Sequence, residues 1–147
     1  MPSGIRSEEL IAVGTIVTAD ITGTAAGKLG HADGYVLVPA YGTDKVVELL
    51  SAVLIMDFAT AAYTAGGNTT INIGGGGAAV TGLVSTGNFI AAAADAIYHF
   101  VPLSTVGNAM TANRGLNLVS ASAPTQPGTA AGEIHYKVTY RVHTTNL

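Results

Sequence analysis

The sequence predicts an all-β protein, a β-sandwich of jelly-roll type with a short N-terminal arm. Three observations predict it. Small and β-branched residues dominate an apolar fraction of 48%, with 6% aromatics and no Trp, a composition that suits pleated sheets better than helices. Eight or so short apolar segments recur at near-regular spacing between Gly- and Pro-rich turns, with no strand–helix alternation. The last segment, 133–143, alternates strictly, with Ile134, Tyr136, Val138, Tyr140 and Val142 set against Glu133, His135, Lys137, Thr139, Arg141 and His143. Such a strand keeps one face dry and one wet. At 147 residues the chain has the length of one domain, here 15–147 preceded by an arm at 1–14.

In order along the chain, Ser7 is placed to cap a short turn with Glu8 and Glu9 behind it. Position 10 is Leu, so there is no capping box, and 1–14 reads as an arm. Residues 15–21 are β-branched and predict a strand closed by Thr22-Gly23; 23–34 is a loop punctuated by glycines. Residues 34–39 predict a second strand, with Pro39 at its end or edge because it has no amide to donate. Residues 45–58 carry apolar side chains on both alternations, which predicts a strand covered on both sides, and a buried helix is the rival. Strands are further predicted at 69–73, 96–101 and 116–119, an extended segment at 78–84 after the glycines of 74–77, and a helical turn at 89–94. Residues 120–132 read as a loop. Leu50, Leu54, Tyr136 and Val138 are the expected core positions.

Charge narrows the function classes. The chain has 6 Lys+Arg and 9 Asp+Glu, 10% in all, against about 25% in an ordinary soluble domain. Mean hydropathy is +0.43. Much of the outer surface is therefore expected to face another copy or a large partner rather than water. A net charge of −3 with scattered cations speaks against nucleic acid. The absence of Cys removes disulfides, thiolate metal sites and a cysteine nucleophile. The first ten residues lack the apolar stretch of a secretory signal. The apolar runs at 52–56 and 89–94 fall far short of the roughly 20 residues of a membrane helix. No membrane partner is expected.

The chemical motifs are weak. Residues 23–29, GTAAGKL, have three residues between the glycines and Leu29 after Lys28, where a phosphate-binding loop needs four and a Ser or Thr. The glycines of 74–77 lack the strand-to-helix setting of a dinucleotide loop. His31 and Asp33 would suit a metal or a general-base pair, but no second cluster supports either. His99 reads as a hydrogen-bonded core or interface histidine, His135 and His143 as solvated, and Asp57 as a turn anchor. No catalytic residue, cofactor or metal is expected.

Two stretches carry a resemblance. Residues 38–46 read VPAYGTDKV, 57–67 read DFATAAYTAGG, and the closing strand ends Tyr140-Arg141-Val142. The chain thereby resembles small virion structural proteins of tailed bacteriophages, over about 35–142 and weakly between 84 and 128. The resemblance implies a β-sandwich assembled on the phage particle, foremost a capsid decoration (cement) protein on the major capsid protein of the head. It also implies a homo-oligomer, with a trimer favoured, and brings no catalytic residues. The expected contacts are Ile5, Arg6, Leu10, Ile11, Lys28, Leu29, His31, Tyr41 and Tyr63. A receptor- or glycan-binding module of a head or tail fibre is the alternative, with Tyr41 and Tyr63 as its exposed aromatics. A small cupin-like enzyme would need clustered histidines, a spacing that His31, His99, His135 and His143 do not have.

Overall fold

The computed structural model describes residues 6–103, 111–126 and 131–145. Among these, nine strands follow one another: β1 (Arg6–Ile16), β2 (Tyr35–Val38), β3 (Lys45–Asp57), β4 (Thr64–Ala65), β5 (Thr69–Ile73), β6 (Ala96–Phe100), β7 (Leu116–Ser120), β8 (Pro124–Thr125) and β9 (Glu133–Thr144). One short helix, α1 (Thr18–Thr22), and a single 3-10 turn (Thr86–Asn88) interrupt them. The predicted all-β sandwich is what forms. One antiparallel sheet has the order β1-β9-β3-β6 and the other β2-β7-β5, with β4 and β8 as a separate pair. Residues 78–84 run antiparallel beside β5 through bridges at Asn72–Ala79 and Thr69–Val84, as the extended reading of that segment expects.

The core lies between the two sheets. Leu54, Met56, Ile134 and Val138 from one sheet meet Leu37, Ile71, Leu116 and Leu118 from the other, all buried. Phe89 closes one end, edge-on to Phe100 with ring centroids 5.7 Å apart. Tyr35 of β2 meets Tyr136 of β9 edge-on across the sandwich, at 6.3 Å. Gly14 makes room for that tyrosine, because a Cβ at position 14 would stand 2.5 Å from the Tyr136 hydroxyl oxygen. At Gly34, φ is +71° and a Cβ would fall 2.1 Å from the Leu118 carbonyl oxygen, so only glycine fits.

The strands at 34–39, 45–58, 69–73, 96–101, 116–119 and 133–143 form where the alternation places them. Several expectations need correction: the stretch 120–132, read as a loop, contains β8, and the short helical turn lies at Thr86–Asn88 rather than at 89–94. Residues 6–14, assigned to the arm, belong to β1, which runs on to Ile16 and pairs with β9 over eleven consecutive positions from Arg6–Thr144 to Ile16–Ile134. Leu10 and Ala12 pack on the core, and Ile16 is fully buried. Residues 1–5 of the arm lie outside the described residues. The strand predicted at 15–21 ends at Ile16, and the chain turns into α1, which buries Ile21.

In β3 the register against β9 slips between Leu49 and Ser51. That bulge reverses the phase, so Val47 and Leu49 face inward before it and Ala52, Leu54 and Met56 after it. Leu50, expected in the core, is the extra residue and is only half-buried. Tyr136 is likewise half-buried, while Leu54 and Val138 are fully buried. On the other side of β3, Glu48, Ser51, Ile55 and Asp57 are exposed, Val53 is half-buried and Val46, at the start of the strand, is buried.

Candidate functional site

The open side of the four-stranded sheet carries polar groups together with the exposed Ile11, Val13, Ile55, Ile97 and Val101, while Val17, Val36, Tyr41, Leu83 and Leu103 are exposed elsewhere. Cross-strand register builds it. Val13, Lys137, Val53 and His99 form one row across β1, β9, β3 and β6, and Thr15, His135, Ile55 and Ile97 form the next. Its two flanks are apolar: Ile11 and Val13 on β1 are 59% and 69% exposed, and Ile97 with Val101 stands equally open at the β6 side. Between them β9 is polar and β3 mixes Val53 and Ile55 with Glu48, Ser51 and Asp57, so a charged strip along β9 runs between two apolar margins.

Two histidine rows span the strip. Ser7 Oγ lies 2.8 Å from His143 Nδ1, and His143 Nε2 lies 2.6 Å from Glu48 Oε2. At the far end Thr15 Oγ1 lies 2.9 Å from His135 Nδ1, with His135 Nε2 3.4 Å from Asp57 Oδ2. Arg141 sits between Glu9 and Glu48, at 3.5 and 3.7 Å. Both histidines, expected to be solvated, are instead partnered on two sides. They tie β1 to β9 and β9 to β3 near the two ends of the sheet.

Hydroxyl, imidazole and carboxylate in line are the ingredients of nucleophilic catalysis. Here they lie on an open sheet, and the adjacent guanidinium is taken up by two carboxylates rather than aimed at a reacting oxygen. Cross-strand pairing accounts for both rows. His99, expected in the core or at an interface, is exposed on this same face. No group of three or more metal-binding side chains occurs among the described residues. A shallow cavity of about 190 Å³ opens beside Ile73, Gly75, Gly76, Thr111 and Arg114, below the about 300 Å³ at which small-molecule pockets begin.

The residues expected to make contacts are scattered. Ile11 is on the open face, and Leu10, its neighbour, points to the core side of β1. Arg6 opens β1 opposite Thr144, and Ile5 lies outside the described residues. Lys28 is held by the carboxylate of Asp20, which ties the loop after α1 back to that helix. His31 Nδ1 accepts the Asp33 backbone N–H at 3.1 Å and stands 3.6 Å from the Asp33 carboxylate.

Tyr41 is exposed, its hydroxyl 2.6 Å from that of Tyr140. Two expectations are corrected: Leu29 is a core residue and Tyr63 is only 2% exposed, so neither offers a surface. Tyr63 is buried because its hydroxyl donates to the Gly132 carbonyl at 2.5 Å. Burial raises its pKa, and that of Tyr136. For Tyr140, burial first, then the Tyr41 hydroxyl and the Glu8 charge, push the pKa up to about 12.

Val13, Ile55, Ile97 and Val101 were missed as surface contacts. The signal was present: each belongs to the apolar alternation opposite to the one that fills the core. Searches against protein-family models, curated proteins and solved structures returned no match. In the fold, the VPAYGTDKV stretch runs from the end of β2 into β3, and DFATAAYTAGG joins β3 to β4 and carries the buried Tyr63.

Proposed function

We propose that this protein is a structural component of a tailed-phage virion, a decoration (cement) protein without enzymatic activity that binds the outer surface of the major capsid shell. The observation that carries this reading is the uncovered face of the β1-β9-β3-β6 sheet. A chain with 10% charged residues leaves Ile11, Val13, Ile97 and Val101 in the open on a single face, and such patches mark contacts with other macromolecules. The strand order supports it. With 78–84 counted beside β5, the sheets run 1-9-3-6 and 2-7-5-(78–84), which we read as the two four-stranded sheets of a jelly roll.

Cementing needs no chemistry. Apolar area covered at a joint between capsid subunits contributes about 25 cal/mol per Å² before ordering costs. Attachment at several subunits at once turns weak contacts into durable ones. The protein would be made in the bacterial cytoplasm and end on the head, grouped in threes if the resemblance holds.

The test is to assemble phage heads with and without the protein and image them by cryo-electron microscopy while following their thermal disruption. Decorated heads should show ordered density for the protein and rupture at higher temperature. Ile97→Lys, an exposed position, should fold normally and decorate poorly. Heads that neither retain the protein nor gain stability overturn the reading. Selective binding to cell-surface glycans in place of heads would favour the fibre alternative.

A further inference from the structure

The cations and imidazoles of the open sheet face are partnered, with two exceptions. His143 is taken up by Glu48 and Ser7, His135 by Asp57 and Thr15, and Arg141 by Glu9 and Glu48. Lys137 and His99 are the exceptions: neither has a hydrogen bond or an ion pair among the described residues. Both are exposed, and Lys137 is the one exposed residue of β9.

The two stand on either side of Val53, which pairs in register with Lys137 of β9 and with His99 of β6. Their Cα atoms are two strand spacings apart, about 10 Å, and their side chains leave the same face. Val13 flanks Lys137 on its other side, and Ile55 and Ile97 belong to the next row. A lysine offers three N–H donors, and an imidazole keeps one even when neutral. Free nitrogen donors therefore stand together here, within an apolar collar.

We propose that Lys137 and His99 together hold one carboxylate of a protein partner, an Asp or Glu side chain laid over Val53. This contact deepens the virion reading and rests on it for the partner, an acidic residue on the outer surface of the major capsid protein. Position selects the occupant. A partner seated on both apolar margins, Ile11 and Val13 on one side and Ile97 on the other, must cover Lys137 between them. Covering it strips water from the ammonium, and a desolvated cation without a counter-charge is strongly unfavourable.

An extended polyanion does not fit. Glu9, Glu48 and Asp57 stand exposed on the same face, so a nucleic-acid strand or an anionic bilayer would meet like charge there. A neutral sugar would leave the ammonium unpaired. A single carboxylate satisfies both donors, and its aliphatic stem suits the floor made by Val53 and Ile55.

The test measures binding of the native chain and its variants to phage heads. Lys137→Met and His99→Leu change exposed positions and should leave thermal unfolding unchanged. Lys137→Met should weaken binding by about tenfold or more, His99→Leu by less, and Lys137→Arg should retain most of the affinity. Binding of the native chain should weaken as salt rises, and Lys137→Met should lose most of that dependence. On decorated heads a carbodiimide, which couples an amine to a carboxylate in contact with it, should join Lys137 to an Asp or Glu of the capsid protein. The two failures read differently. Heads that do not bind the native chain overturn the virion reading and this contact with it. Heads that bind Lys137→Met as tightly as the native chain, with the same salt dependence, overturn the carboxylate contact alone, and so does carbodiimide coupling that never involves Lys137.

Discussion

Leu54 and Ile55 are consecutive residues of β3 on opposite sides of the same sheet, and truncating each to Ala separates core from open face. Leu54 is 0% exposed and Ile55 38%. Leu54 sits in the sheet between Tyr98 of β6 and Tyr136 of β9 and belongs to the cluster between the two sheets. Leu→Ala deletes three buried carbons, worth about 2.4 kcal/mol of transfer free energy at about 0.8 each. Whatever cavity remains raises the loss towards the upper part of the about 2–5 kcal/mol range. A loss of about 3 kcal/mol is a large share of the about 5–15 kcal/mol that holds a domain together. It should lower Tm by about 6–12 °C in a chain of this size. Ile55→Ala removes a side chain from the open face and should change stability by only about 0.5 kcal/mol. Urea and thermal unfolding of the two variants, each compared with the native chain, measure both. Equal losses, or a larger one at Ile55, would refute the phase assigned to β3 and with it the identity of the uncovered face.

Gly14→Val should destabilise the sandwich at the junction of β1 and β9, because any Cβ there meets the Tyr136 ring at 2.5–2.9 Å. Overpacking of this kind costs about 1–3 kcal/mol, read by urea unfolding, and truncating Tyr136 in the same chain should relieve part of it. Stability should also fall at alkaline pH. Tyr140 is held protonated in the fold, its pKa pushed from 10.0 to about 12 mainly by burial. Its contribution is complete below pH 10 and is lost as the pH climbs towards 12, where the unfolded chain releases the proton and the folded one resists. Tyr63 and Tyr136, also raised by burial, add to the same loss. Tyrosinate absorption followed against unfolding should show Tyr140→Phe with a shallower decline over that window. An unchanged slope would mean that Tyr140 does not titrate with the fold.

Strands whose two alternations differ strongly could be read without a structure. β9 sets five large apolar residues against charges and histidines, β5 is a short β-branched run, and β6 and β7 are short apolar runs between turn residues. β1 escaped because its core side is made of Leu10, Ala12, Gly14 and Ile16, mostly too small to mark a dry face, while Glu8 and Glu9 mimic a helix start. Its strand state is supplied by β9, more than a hundred residues later, and local propensity carries no trace of that. The slip at Leu50 is one added residue with no glycine or proline to announce it, yet it reverses every side chain beyond it. The histidine rows are equally non-local, since Ser7 and His143 are 136 positions apart. Tyr63 looked like an exposed loop aromatic because its acceptor, the Gly132 carbonyl, is 69 positions away.

The apolar pattern on both sides of 45–58 has a different standing. It implied cover on two faces, and one face has the second sheet as its cover, while on the other Val46 is buried but Val53 is half-buried and Ile55 exposed. A low charge content leaves apolar residues on the surface, and the register of β3 and β6 shows which of them share one face. In a free monomer, side chains on a wet sheet face are unconstrained by packing, and charge is the economical choice for solubility. Val13, Val53, Ile55 and Ile97 stand on that face instead, and Lys137, His99 and His135 are the register neighbours of the first three. Apolar residues kept in line beside polar ones suit a repeated, oriented contact, which is the ground on which the proposed function rests on the outer sheet rather than on a pocket.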